Sequence, residues 1–178
     1  MSNSAEFREY NIDVCGQEVN FENGLIIKSE SLANHLSGCN KCAVIAVTLG
    51  HETDRQIKKM QFVDMATALE LDKKANIDIE AICDSLQKKI ESLAKKQDCG
   101  ITARFSPGYG DLALSYQSAI LKLANSKKIT ITDSFLLIPQ KSVTAIIGYK
   151  KGKVVAVDKC KNCTLKEKCL TIRQPCLT

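Results

Sequence analysis

Apolar residues recur along this chain in more than one rhythm, and each rhythm predicts a different element. Residues 43–49 form a nearly unbroken apolar run, Ala-Val-Ile-Ala-Val-Thr-Leu, closed by Gly50. So short a run, rich in β-branched side chains, predicts a buried strand. Residues 24–28 read as a shorter strand, and residues 29–36 as a helical turn. From Thr53 or Asp54, either a good helix cap, Ile57, Met60, Val63, Ala66 and Leu69 keep helical spacing and predict a helix to about Leu71. A second helix then carries Ile79, Ile82, Cys83, Leu86, Ile90 and Leu93 on one side and Asp84, Lys88, Lys89, Glu91 and Lys95 on the other. It is the clearest amphipathic segment of the chain.

Asp98-Cys99-Gly100 closes that helix, residues 101–105 predict a short strand, and residues 106–110 must turn tightly. Asp111 is placed to cap a third helix reaching about Ala124. The remainder is strand-like: 129–132, 136–138, 143–149 and 154–157, the last two joined at Lys150-Lys151-Gly152 as a hairpin. Residues 1–23 are polar and weakly patterned, which fits a tail, an arm on a partner or a first irregular strand. The division expected is an N-terminal arm over 1–23, a domain over 24–158 and a Cys-rich tail over 159–178. Strands at both ends of a helical middle predict an α+β domain, a twisted and largely antiparallel sheet with a central group of helices.

Composition narrows the function classes. With 178 residues, 44% of them hydrophobic, the chain can bury an ordinary core. Its formal charge of +5 is scattered in Lys doublets from 73–74 to 150–151, without Trp and with only 5% aromatics. That pattern lacks the basic and aromatic stripe of a nucleic-acid binder. No apolar stretch reaches membrane-spanning length and no leader pattern opens the chain, so a cytoplasmic location is expected. Thiols stay reduced there, and the nine cysteines point to metal or redox chemistry before disulfides. Cys160, Cys163, Cys169 and Cys176 put four thiols in seventeen residues, a set for an iron-sulfur cluster, for zinc, or for unliganded cysteines. Cys39-x2-Cys42 fits a share in such a site, a redox pair or an incidental pairing. Cys83 reads as core and Cys99 as loop, while His35 and His51 have no ligand-spaced partners and read as structural or exposed.

The densest chemistry lies in RFSPGYGD, residues 104–111. Pro107 presets φ for a type II turn and Gly108 supplies the positive φ that follows, so backbone there can approach a ligand closely. Arg104 offers a planar donor fork suited to a carboxylate. Taken alone, the segment reads as an ordinary strand-to-helix connection before it reads as a ligand site.

Its surroundings add a resemblance. Preceded by Glu80-Ala81-Ile82-Cys83-Asp84 and followed by Thr132-Asp133-Ser134-Phe135 and by Pro139-Gln140-Lys141-Ser142-Val143-Thr144, the turn resembles the reactivation domain of cobalamin-dependent methionine synthase, in its short stand-alone form. The matching order covers about residues 43–158. The resemblance implies a shallow groove that binds S-adenosylmethionine and presents its methyl group to cobalamin on a separate synthase after the cofactor has been oxidised. It implies that Arg104 holds the ligand carboxylate, that Ser106 and Gly108 contact the ligand through their backbone, that Glu80 takes its ammonium and that Tyr109 stands where ligand and cobalamin meet as the catalytic position. Val154 falls at an adenine-side tyrosine, and Asp13 is one match for an acidic residue near the N-terminus. The chain departs from the large synthases at Gly110-Asp111-Leu112, where they carry a Pro-rich, His-containing stretch, and at Ile138, where they carry tryptophan. The partners implied are a cobalamin-binding methionine synthase or other corrinoid protein and an electron donor, with catalysis only in the complex. The electron that reactivation consumes favours a cluster over zinc at the tail. An electron-donating iron-sulfur protein and a non-catalytic docking module for a corrinoid protein are the rival readings.

Overall fold

The computed structural model describes residues 3–152. In chain order the elements are β1 (Ser4–Cys15), β2 (Glu18–Phe21), β3 (Ile26–Lys28), α1 (Glu30–His35), β4 (Cys39–Thr48), α2 (His51–Val63), α3 (Met65–Lys95), β5 (Cys99–Ile101), α4 (Gln117–Ala124), β6 (Thr130–Ile131), β7 (Leu137–Ile138) and β8 (Ser142–Lys151). Six strands make one sheet in the order β3-β2-β1-β4-β8-β5, with every neighbouring pair antiparallel. Strands β6 and β7 form a separate small ribbon.

The unbroken apolar run in β4 follows from burial on both faces, because alternate side chains must enter two different cores. Ala43, Ile45 and Val47 join Ala145, Ile147 and Tyr149 of β8 against Ile79, Cys83, Leu86 and Ile90 of α3. Cys42, Val44, Ala46 and Ile146 instead meet Leu32 of α1 and Ile120, Leu121 and Ala124 of α4. The sheet is thus covered on both sides, and the α+β class expected from the element order holds.

Several boundaries differ from expectation. The polar N-terminal segment, divided off as an arm but read equally as a tail or a first irregular strand, takes the strand form: β1 and β2 lie inside the sheet, with Ser4 opposite Thr48 and Asn11 opposite Lys41. Most β1 side chains are exposed or half-buried. Its place rests on the ladder to β4, which leaves no apolar signature in the sequence. The helix break falls at Asp64 instead of near Leu71: its carboxylate accepts from the N–H groups of Ala66 and Thr67 at 3.0 and 3.3 Å and from the Thr67 hydroxyl at 2.7 Å. The next helix runs unbroken to Lys95. The expected strand over 101–105 is instead β5, which ends at Ile101, followed by a single bridge between Phe105 and Ile146. Residues 154–157, the expected second arm of the last hairpin, lie outside the described residues.

Gly148 permits the packing of α1 on the sheet. A Cβ there would stand 2.7 Å from both Cys39 Sγ and Leu36 Cδ2. Gly148→Ala is therefore expected to cost about 1–3 kcal/mol in urea unfolding; unchanged stability would show that Leu36 repacks freely. Among the described residues no helix is long and apolar enough to cross a membrane.

Candidate functional site

Edge strand β5 pairs with β8 only at Tyr149–Lys151 and then leaves it. Thr102 stays attached, donating its N–H to Gly148 O at 2.9 Å and accepting the Gly148 N–H on its hydroxyl at 2.8 Å. Two residues later Arg104 points at α3. Its Nη2 donates to Glu80 Oε2 at 2.8 Å, and its Nη1 lies 2.9 Å from Asp84 Oδ1. The second contact is an ion pair without hydrogen-bond alignment, so the buried Nη1 lacks an aligned acceptor. The guanidinium is the enclosed member, with an Arg104 side chain 11% exposed against 59% for each carboxylate. One helical turn separates Glu80 from Asp84, which puts both acids on one face of α3.

The turn takes the form that Pro-Gly chemistry requires. Tyr109 N–H donates to Ser106 O at 3.0 Å and Gly108 has φ +93°, the positive value that a type II turn needs. Gly108 N–H is committed to Leu112 O at 2.7 Å. Behind the turn the Phe105 ring packs 4.9 Å from His35 and 5.8 Å, edge to face, from Tyr109. Tyr109 itself is 55% exposed. His35 Nε2 sits 2.9 Å from Ala103 O, and since a carbonyl only accepts, this nitrogen carries the proton. Burial pushes the His35 pKa down against the smaller opposing effect of that hydrogen bond. The histidine is a structural support, as its lack of ligand-spaced partners suggested.

Asp111 caps α1 instead of the following helix, which opens through a 3-10 turn at Leu114–Tyr116 and becomes α4 at Gln117. Its Oδ1 accepts from the Ser29 hydroxyl at 2.6 Å and Ser31 N–H at 3.0 Å, and its Oδ2 from Glu30 N–H at 2.8 Å. The Ser29 hydroxyl first, then the Ser31 amide, holds this carboxyl well below the usual range. With the folded pKa depressed, the stabilisation is complete above the ordinary carboxylate pKa of about 4 and is lost as pH falls toward the folded value. Asp111→Asn is expected to lower Tm by several degrees at pH 7 and to flatten the fall in Tm below about pH 4. Parallel acid profiles for the two proteins would refute the assignment.

Of the residues expected to act, Glu80 meets Arg104 from α3, while Ser106, Gly108 and Tyr109 follow Arg104 in the turn, where the Tyr109 ring packs against Phe105. Asp13 stands in the β1–β2 ladder opposite Asn20. Val154 and the four tail cysteines, Cys160, Cys163, Cys169 and Cys176, lie outside the described residues. Among the described residues no group of three or more His, Cys, Asp or Glu is placed to hold a metal. Burial pushes the thiols of Cys39 and Cys42 up, which works against the reactive thiolate of a redox pair. Asp84 was not singled out from the sequence as a site residue, although its position four residues after Glu80 was the available signal. An open cavity of about 350 Å³ lies elsewhere, among Gly50, His51, Glu52, Lys127, Lys128 and Thr130.

Fold and site together define an α+β domain with a charged, turn-bearing sheet edge. No family model matches the chain, and no curated protein matches it. Among solved structures it is similar to the crystal structure of the MetH reactivation domain bound to AdoHcy, with a TM-score of 0.62 at 14% identity. The match covers 86% of this chain and 61% of that one, so the chain spans about three fifths of that solved domain. The two share a fold.

Proposed function

We propose that the chain binds S-adenosylmethionine at the turn and serves the reductive methylation of a cobalamin carried by a separate methionine synthase. The observation that carries this reading is the enclosed Arg104 guanidinium, paired with Glu80 and Asp84 and followed in the chain by the Ser106–Tyr109 turn, on a fold shared with a reactivation domain that was crystallised with AdoHcy. A zwitterionic amino-acid end asks for one cation and one anion side by side, and Arg104 with Glu80 offers both. Gly108 N–H is spent within the turn, so a backbone contact from that residue falls to its carbonyl, while the exposed Tyr109 ring faces outward. A carbonyl and an aromatic face both suit a sulfonium.

Cobalamin on the partner, once reduced by an electron from a separate donor, would supply the nucleophile that takes the methyl group as the sulfonium becomes a thioether. This chain's residues would bind and orient the methyl donor and would leave Tyr109 at the meeting face. No general acid or base is needed. Calorimetric titration with S-adenosylmethionine tests the reading: saturable one-site heat is expected, and its absence at millimolar ligand would end it. The four tail cysteines are proposed as a cluster or zinc site, and metal analysis of anaerobically purified protein decides that point separately.

A further inference from the structure

We infer that Asp84 makes this site select a cationic methyl donor over the neutral thioether product left after transfer. The inference rests on the adenosylmethionine reading and adds a residue and a ligand charge to it. Arg104 contributes one positive charge, and Glu80 and Asp84 contribute two negative ones at 2.8 and 2.9 Å from the guanidinium. The three groups therefore carry a net charge of −1.

A ligand carboxylate that takes the guanidinium must push at least one of these acids aside. The ligand ammonium can compensate one displaced acid. The second acid keeps an unbalanced charge unless the ligand brings another cation. S-Adenosylmethionine does so, because its sulfonium stands only a short methylene chain from its ammonium and gives the molecule a net charge of +1. S-Adenosylhomocysteine has no sulfonium and is neutral overall. With the methyl donor the assembly sums to zero; with the product one carboxylate stays uncompensated beside a ligand. The enclosed guanidinium cannot move to water to relieve that, since its side chain is only 11% exposed. Both acids are 59% exposed, so solvent screens the effect without removing it. A preference of about tenfold for the sulfonium is the size expected at such separations in a half-wet site. Product release would gain by the same factor.

The experiment is a calorimetric titration of the full chain, its Asp84→Asn variant and its Asp84→Glu variant with each of the two ligands, at low and at high salt. The ratio of the two Kd values within one protein is the readout, so a partly misfolded fraction cancels. Wild type should prefer S-adenosylmethionine about tenfold, Asp84→Asn should bring the ratio within about twofold, Asp84→Glu should restore it, and high salt should compress it. A wild-type ratio near one, or a ratio unmoved in Asp84→Asn, overturns the role of Asp84 and leaves the adenosylmethionine site standing. Binding of neither ligand by wild type overturns both.

Discussion

Arg104→Ala is expected to weaken S-adenosylmethionine binding by about a hundredfold while leaving the fold nearly as stable as before. Two charge-assisted hydrogen bonds from an enclosed fork to a carboxylate are worth roughly 2–3 kcal/mol, which sets that factor. The stability side follows from who is buried. Removing one member of a buried pair is costly when it strands a charge away from water. Here the groups left behind, Glu80 and Asp84, are 59% exposed and simply hydrate. The cost should stay near 1 kcal/mol. Arg104→Lys, which keeps the charge and loses the fork, should bind about tenfold more weakly than wild type. Calorimetry with paired urea unfolding checks all three proteins. Equal affinities would move the ligand carboxylate elsewhere; a large loss of stability would make Arg104 a folding residue first.

A second large effect is expected at Gly110, where the turn leans on α1. Its φ is +54°, and an added Cβ would stand 2.3 Å from Ser31 Oγ and 2.6 Å from Ser31 Cβ. Gly110→Val combines a left-handed conformation that β-branched residues resist with a collision against an atom anchored to a helix backbone. The expected loss is about 2–4 kcal/mol by urea unfolding. Because Asp111 is the next residue and grips the same helix end, ligand affinity should fall with stability, by about tenfold or more. A variant that loses affinity without losing stability would show that the turn moves independently of α1.

The contrast between legible and hidden features has physical causes. β4 could be read because two cores demand apolar residues at every position from Ala43 to Val47, and the middle of α3 because Ile79, Cys83, Leu86 and Ile90 share one buried face. β1 could not, because its place depends on backbone pairing to β4, which polar side chains satisfy equally well. The break at Asp64 hides within an apolar rhythm that runs past it on both sides; the Asp64-x-x-Thr67 cap was its only sign. Asp111 has two helix starts within reach, and sequence proximity favours the nearer. The structure gives it to Ser29 and Glu30, more than eighty positions away. The turn itself follows from Pro107 and Gly108, whereas Glu80 joined the candidate site only through the family resemblance, as a partner of the ligand ammonium, and its ion pair with Arg104 comes from the fold. Local rules see a turn; they do not see that it leans on α1 while Arg104 before it reaches α3.

The departure of β5 from β8 has one more consequence. Beyond the bridge at Phe105, the margin of β8 over residues 142–145 has no strand beside it on the side away from β4 among the described residues. Such a margin is a template on which a second chain can stack. The segment that carries the ligand site closes the neighbouring stretch of that margin through Thr102 and Phe105. Shortening or loosening it would therefore lengthen an adhesive border, and variants that damage this segment should aggregate on heating sooner than their loss of stability alone would dictate.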